Sequence, residues 1–183
     1  MDADCEVEIG GGAPVIEALW PGFVDLRRGP ECIGQIQEAT DFPPLAALLL
    51  ALNGEASPLW TSKCDRWEQE PAELAAGARC GLACYVDLLP VQTAVFLTWQ
   101  QAEAFCLQWV ARLGPVSAPQ CRVEFVVRQA VAGETEGFGV TAYLAASGRD
   151  RSDAAQALAT FMTAFADAIP AAVPPATAVS KLQ

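Results

Sequence analysis

Histidine is absent from this chain of 183 residues. Since histidine is the commonest general base near neutral pH and the commonest metal ligand, its absence removes the most usual routes to catalysis and metal binding. Basic residues are also scarce, because 11 lysines and arginines face 22 aspartates and glutamates, for a formal net charge of −11. Nucleic acids and anionic membranes are bound mainly through basic patches, so we expect neither as a partner.

Long apolar runs are missing as well. The richest run, residues 45–52, is far too short to cross a bilayer, although 52% of all residues are hydrophobic. The amino terminus, Met-Asp-Ala-Asp-Cys-Glu, is acidic and lacks the hydrophobic region of a secretory signal. We therefore expect a cytoplasmic protein that has no membrane partner.

The seven cysteines are odd in number and scattered, unlike the disulfide framework of a short secreted domain. We interpret them as mostly reduced thiols. Cys80 and Cys84 share one face of a predicted strand, and Cys121 lies on the equivalent face of another. Structural zinc sites favour two closely spaced cysteine pairs in turns, which this chain lacks. We predict that these three thiols are buried and metal-free, and we expect no cofactor.

The clearest structural pattern lies in residues 121–128 and 140–146, where apolar and polar side chains alternate. A period of two predicts strands with one buried face. Three glycines and two glutamates between them predict a long hairpin loop over residues 133–139.

Other segments complete the element order. Strand patterns also occur at 58–68 and 79–89, with a possible edge strand at 5–9. Helix patterns begin at Asp41, at Thr98 and near Ser152. We expect Asp41 to cap the first of these helices, ahead of two prolines.

Two hairpin-plus-helix units, 58–113 and 121–169, therefore stand in tandem. We predict a single α+β domain over residues 1–170, with an additional N-terminal helix and a Pro/Ala-rich tail, 171–183, that is disordered. The predicted sheet is four-stranded and mostly antiparallel, with the two long helices on one face, as in a ferredoxin-like fold. Element order, size and charge are similar to those of small acidic secretion chaperones, which dimerise. That resemblance implies a similar architecture and a homodimer, and it is not supported by any sequence motif.

The face of the sheet opposite the helices is the candidate binding surface. We expect it to present Tyr85, Val126, Tyr143, Arg122 and Arg128, with Leu59, Thr61 and Asp87 beside them and Trp67 at a strand end. Tyrosine, arginine and aliphatic side chains are typical of interface hot spots, and also of RNA-binding sheets. The charge of −11 favours a protein over RNA. The alternative is that the N-terminal segment or helix 42–53 covers this face as core.

The sequence thus predicts a non-catalytic acidic protein-binding module of the chaperone, adaptor or inhibitor type. Its partner would be a protein with a basic or mixed surface, and the chain itself a homodimer. The alternative function is a small thiol- or carboxylate-dependent enzyme. Its best-placed thiol is Cys64, flanked by Lys63 and Arg66, but neighbours along a strand point to opposite faces.

Overall fold

The computed structural model describes residues 2–10, 12–113 and 120–176, and of Asp2 it describes only the backbone. These residues form an α+β fold, as predicted. In chain order the elements are β1 (Asp2–Glu8), β2 (Ile16–Glu17), α1 (Gln37–Asp41), α2 (Pro43–Leu52), β3 (Leu59–Glu68), β4 (Cys80–Pro90), α3 (Trp99–Leu113), β5 (Cys121–Ala132), β6 (Thr135–Gly148) and α4 (Arg151–Asp167). Short 3₁₀ helices at Pro30–Gln35 and Pro71–Glu73 lie in the connections.

The sheet has six strands and is mixed, so the prediction of a four-stranded, mostly antiparallel sheet is wrong. Its strand order is β1-β5-β6-β4-β3, and the four strands of the two hairpins are antiparallel as expected. Strands β1 and β2 pair one after the other with β5, both in parallel. Parallel pairing between segments far apart in sequence leaves no local pattern, and β2 has only two residues. The ferredoxin-like arrangement is not confirmed.

The predicted hairpin loop over residues 133–139 is also wrong. Strands β5 and β6 continue to a turn of two residues, with Ala132 paired to Thr135. Gly133 lies in this turn with a φ of 65°, a conformation that favours glycine. Gly137 lies within β6, where a Cβ would collide with Phe96 and Val95. Glycine is needed there because two backbone segments approach each other closely. In the sequence, such a glycine looks the same as one in a loop, which explains the error.

Helices α2, α3 and α4 cover one face of the sheet, called the inner face below. Alternating apolar residues of β4, β5 and β6 meet the apolar stripes of these helices in one continuous core. At its centre, Trp109 of α3 stacks on Phe165 of α4 with 4.2 Å between ring centroids, and Phe125 of β5 lies 5.6 Å from Trp109. The indole of Trp109 donates to the carbonyl of Phe165 at 2.9 Å. The prediction that the two long helices lie on one face of the sheet is therefore confirmed.

The start of α2 differs from the prediction. Asp41 is the last residue of α1 and accepts a hydrogen bond from the side chain of Gln37 at 2.7 Å. The residue at the N-cap of α2 is Phe42, without a side-chain cap. The two prolines that follow begin the helix where their missing N–H groups cost nothing. The capping role predicted for Asp41 is therefore wrong, because a preceding helical turn already uses this residue.

A bulge in β3 corrects the predicted outer face. The register with β4 shifts between Thr61 and Cys64, so the side-chain alternation changes phase there. Leu59 and Thr61 consequently point to the helices and are buried, and the backbone N–H of Thr61 donates to the Asn53 side chain at 3.1 Å. Their predicted exposure on the outer face is wrong.

One end of the outer face is closed. Ile16, Ala18 and Phe23 pack there against Trp60 and Leu89, in a second apolar cluster separate from the main core. The hydroxyl of Ser62 donates to the carbonyl of Ala18 at 2.7 Å and fastens this N-terminal segment to β3. The expectation that an N-terminal segment covers the outer face thus holds for one end only, whereas α2 lies on the inner side.

Past α4, the chain packs back on the core before the end of the described residues. Val173 contacts the main core, and the side chain of Gln101 donates to the carbonyl of Pro174 at 2.8 Å. The predicted disordered tail falls mostly on residues 177–183, which lie outside the described residues. In the described part of the chain, no helix is both long and apolar enough to cross a membrane.

A candidate protein-binding groove on the outer face

Three aromatic side chains form a cluster at the open end of the outer face. Tyr85 of β4 and Tyr143 of β6 are directly paired across the sheet, with ring centroids 5.9 Å apart. Trp67 of β3 lies 6.4 Å from each of them. All three are half-buried, so each ring keeps an accessible surface. The bulge in β3 places Trp67 on this face, two strands from Tyr143.

Beside this cluster lies an open groove with a volume of about 340 Å³. Five of the six residues predicted as the binding surface line it: Trp67, Arg122, Val126, Arg128 and Tyr143. Tyr85, the sixth, completes the aromatic cluster next to it. Strand β1 contributes one wall of the groove through two glutamates, and the segment after β3 contributes Gln69 and Glu73.

Val126 has a different place from the one predicted. Only 4% of its surface is exposed, so it forms the floor of the groove between β1 and β6. A buried floor residue shapes the groove but offers little area to a partner. The accessible apolar surface comes instead from the three aromatic rings.

Arg128 is held by several partners at once. Its guanidinium donates to Glu8 of β1 at 2.9 and 3.0 Å, to the hydroxyl of Thr141 at 3.3 Å, and to the hydroxyl of Tyr143 at 3.1 Å. These contacts join the edge strand to the aromatic cluster across β5 and β6. Because a fully bonded arginine loses little further freedom on binding, Arg128 is preorganised at the groove.

Behind the groove lies a buried carboxylate, Asp87 of β4. It accepts a hydrogen bond from the hydroxyl of Thr141 at 2.7 Å. Burial raises the pKa of Asp87 above its ordinary value, while the Thr141 hydrogen bond and the charges of Arg128 and Lys63 oppose this effect. The same chain of contacts therefore links Asp87, through Thr141, to Arg128.

Tyr85 and Cys64 are poorly suited to act as nucleophiles. Burial, reinforced by the Asp87 carboxylate, raises the pKa of Tyr85 to about 12. Burial also raises the pKa of Cys64 to about 12, with Glu38 and Asp65 adding to it, and does the same for Cys84. A reactive cysteine requires a lowered pKa, so the neighbouring Lys63 and Arg66 do not activate Cys64.

Three thiols were predicted to be buried, and the prediction is confirmed for Cys84 and Cys121. It is wrong for Cys80, which is half-buried against the core because it lies at the first residue of β4. Among the residues that the structure describes, no three acidic or cysteine side chains come together in a way that could hold a metal ion.

The groove carries charges of both signs. Four glutamates line it, namely Glu6, Glu8, Glu73 and Glu124, together with Arg122 and Arg128. Glu8 neutralises Arg128, whereas the described residues place no carboxylate within 4.0 Å of the Arg122 guanidinium. Asp4 and Glu124 stand side by side in the β1–β5 register, a like-charged pair. The groove therefore offers acidic groups in excess and one arginine free for a carboxylate or carbonyl.

Sequence reasoning missed Glu8 and Thr141 as members of this site. The hydrogen bonds of Thr141 with Asp87 and Arg128 depend on three strands lying side by side, which no local pattern reveals. Glu8 reaches Arg128 only through the parallel β1–β5 pairing. Alternation within the possible edge strand at 5–9 places Glu6 and Glu8 on one face, but it does not show which strand lies beside them.

Comparison of the chain with protein-family models, with curated proteins and with solved structures found no match.

Proposed function

We propose that this protein is a non-catalytic module that binds another protein at the groove on its outer sheet face. The observation that carries this proposal is the half-exposed cluster of Trp67, Tyr85 and Tyr143 beside an open groove. Aromatic and arginine side chains contribute most of the binding energy at protein interfaces. Rings packed on one another lose little freedom on binding, which favours their use as anchors.

The partner carries a basic or mixed surface. Glutamates outnumber arginines in the groove, and the whole chain has a net charge of −11. Such a field attracts a basic surface and accelerates its association, whereas the aromatic contacts govern how slowly it dissociates. Arg122 can pair with a carboxylate or carbonyl of the partner and thereby fix its orientation.

Chaperone, adaptor and inhibitor remain three forms of this proposal, and they differ in the state of the partner. A homodimer is part of it, and sedimentation velocity at several concentrations tests that state. A dimer in which the two outer faces cover each other would leave the groove closed to another protein. The solvent accessibility of Trp67, measured by fluorescence, is therefore a useful second measurement.

The experiment compares a variant on the outer face of the sheet with a variant on the helices that cover the inner face. Proteins captured by the full chain from native extract are identified and then measured individually by surface plasmon resonance. We expect Tyr143→Ala to raise the dissociation rate about tenfold, which corresponds to about 1.4 kcal/mol. The matched control is Leu107→Ala on α3, because Leu107 is apolar, 56% exposed and on the helix layer.

A captured protein supports the proposal only if Tyr143→Ala weakens its binding and Leu107→Ala does not. Equal effects of the two substitutions would indicate non-specific apolar contact. If Tyr143→Ala changed neither partner binding nor self-association, the outer face would not be the working surface and the proposal would be wrong.

A further inference from the structure

Strand β3 forms one edge of the sheet, and among the described residues it pairs with β4 alone. Just after β3, the N–H of Gln69 donates to the carbonyl of Gly81 at 2.9 Å, so the backbone groups of Gln69 face β4. Backbone groups alternate between the two sides of an antiparallel strand, and those of Arg66 and Glu68 therefore face away from β4. The N–H of Arg66 donates instead to the Asp65 carboxylate at 2.6 Å. Such an edge is a template for a further strand.

The free part of this edge begins after the bulge in β3. Before it, the indole of Trp20 donates to the carbonyl of Ser62 at 3.4 Å, and the Ser62 hydroxyl donates to the same N-terminal segment. In the described part of the chain, no other segment bonds to the outward backbone groups of Arg66 and Glu68. A strand from outside can therefore pair along residues 64–69.

Two opposite charges lie on the same side of this edge. The guanidinium of Arg66 lies 5.5 Å from the ring centroid of Phe42, at the start of α2. The carboxylate of Glu68 contacts Arg151, at the start of α4, at 3.0 Å. Both side chains thus point to the helix side of the sheet, whereas Trp67 between them lies on the outer face. Within the described residues, no carboxylate comes within 4.0 Å of the Arg66 guanidinium, and its buried Nε has no hydrogen-bond partner.

We propose that a second copy of this chain pairs with this edge, β3 against β3, antiparallel about a two-fold axis at Trp67. Bonded and non-bonded pairs alternate between antiparallel strands, so the axis relating two identical strands must pass through two copies of one residue. An axis at Asp65, Arg66 or Glu68 would set like charges opposite each other, which destabilises a sheet. An axis at Trp67 sets each Arg66 opposite Glu68 of the other copy and sets one indole opposite the other. Among axes within residues 65–68, only this one makes the charges self-complementary.

This pairing has two structural consequences. It would add about four backbone hydrogen bonds, because Arg66 and Glu68 each exchange a pair of bonds with the second copy. The two sheets would also become one continuous sheet, with the two aromatic clusters side by side and both grooves open. The inference gives a surface to the homodimer of the proposed function, and it does not depend on the binding of another protein.

The test measures self-association of the full chain by sedimentation velocity at several concentrations. Arg66→Glu sets glutamate opposite Glu68 of the second copy, and Glu68→Arg sets arginine opposite Arg66. Each substitution alone should therefore raise the dissociation constant of the dimer about tenfold or more. In an equimolar mixture of the two variants, both pairs are again of opposite charge, so a heterodimer should form about as tightly as the unmodified dimer.

The matched control is Glu55→Arg, which reverses a charge at an exposed turn after α2, away from residues 64–69. We expect it to leave self-association unchanged. Circular dichroism of each variant checks that it folds.

Hydrogen exchange of the unmodified protein gives a readout that needs no variant. The amides of Arg66 and Glu68 should exchange more slowly above the dissociation constant of the dimer than below it, because only the dimer places them in a ladder of sheet hydrogen bonds. The amide of Trp67 already faces β4, so its exchange should not depend on concentration in this way.

Several outcomes would overturn the proposal. A dimer that neither substitution weakens would lie on another surface, and weakened variants that do not associate on mixing would exclude this register. If a variant fails to fold, exchange at Arg66 and Glu68 that does not change with concentration overturns the proposal by itself. A monomer at every concentration would overturn this inference and the homodimer together, whereas binding of another protein at the groove would still be decided by the Tyr143→Ala comparison.

Discussion

The outer face of this sheet has two ends built on the same strands, and they are used differently. At one end Trp60 of β3 and Leu89 of β4 lie under Ile16, Ala18 and Phe23. At the other end Trp67 of β3 and Tyr85 of β4 are half-buried, and they lie at a groove that no segment among the described residues fills. One strand therefore carries a fully buried tryptophan and a half-buried one on the same face.

The difference lies in what surrounds each tryptophan. Trp60 is packed by aliphatic and aromatic side chains, and its indole N–H donates to the carbonyl of Pro90 at 3.2 Å. The one charged group over its ring, the Arg27 guanidinium at 4.3 Å from the centroid, is already paired with Asp25. Around Trp67 and its neighbours are Glu6, Glu124 and Arg122, which would be expensive to bury without partners. A chain segment of the protein itself can close the first end, while the second is suited to a partner that supplies complementary charge.

The largest effect we expect is from Trp60→Ala at the closed end. Only 1% of this side chain is exposed, so its removal leaves a cavity beneath the N-terminal segment. We expect the free energy of unfolding to fall by about 3–5 kcal/mol. Denaturant titration followed by far-ultraviolet circular dichroism measures it. A loss below about 1 kcal/mol would show that the segment does not pack on Trp60 in solution.

A smaller effect, one that depends on pH, is expected from Asp87→Asn. The pKa of this buried carboxyl is raised above its ordinary value of 3.8, so the folded state holds its proton to higher pH than the unfolded state does. The stability contributed by this carboxyl is therefore full below 3.8 and is lost as pH rises through the folded-state pKa. Asparagine does not titrate and can still accept from Thr141. Relative to the unmodified protein, the variant should gain stability as pH rises.

The control for that prediction is Asp25→Asn, which should give the opposite sign. The hydrogen bonds and charge of Arg27 lower the pKa of Asp25, so its contribution is present above 3.8 and is lost as pH falls through its folded-state pKa. Urea titrations between about pH 2.5 and 7 measure both variants. If the unfolding free energy of Asp87→Asn differed from that of the unmodified protein by the same amount at every pH, the carboxylate of Asp87 would be well solvated.

Much of this fold could be predicted because its determinants are local. The buried faces of β4, β5 and β6 follow from alternation, and those of α3 and α4 from apolar spacing. The errors arise where contacts between segments far apart in sequence determine the local structure. The β3 bulge turned Leu59 and Thr61 inward, and the backbone of Phe96 required a glycine at position 137. Both depend on neighbours that sequence spacing does not reveal.

The candidate site was predictable to a similar degree and for the same reason. Tyr85, Tyr143, Arg122 and Arg128 lie on one face because alternation within a strand is reliable. The groove itself depends on the position of β1, whose parallel pairing has no local signal. Val126 looked exposed by alternation, but its neighbours on β1 and β6 bury it.

A third prediction pairs directly with the first. Trp67→Ala removes the same side chain from the same strand at the open end, where the ring is half-buried. We expect a loss of about 1 kcal/mol or less in the free energy of unfolding, because the remaining rings still pack on each other. Partner binding should weaken at the same time. A stability loss as large as that of Trp60→Ala would mean that the open end is core rather than a binding surface.

The smallest effect concerns rates alone and comes from Glu6→Gln. Glu6 is exposed at the groove wall and, within the described residues, forms no salt bridge, so its neutralisation should alter stability by no more than about 0.5 kcal/mol. Electrostatic steering of a basic partner should nevertheless weaken, because one charge of the acidic field is lost where the partner arrives. We expect a lower association rate with a flatter dependence on salt and an unchanged dissociation rate, measured by surface plasmon resonance at two ionic strengths.

Glu55→Gln makes the same charge change at an exposed turn after α2 and should leave the association rate nearly unchanged. Equal slowing by both substitutions would assign the steering to net charge alone, and no slowing by either would contradict a basic partner at this groove.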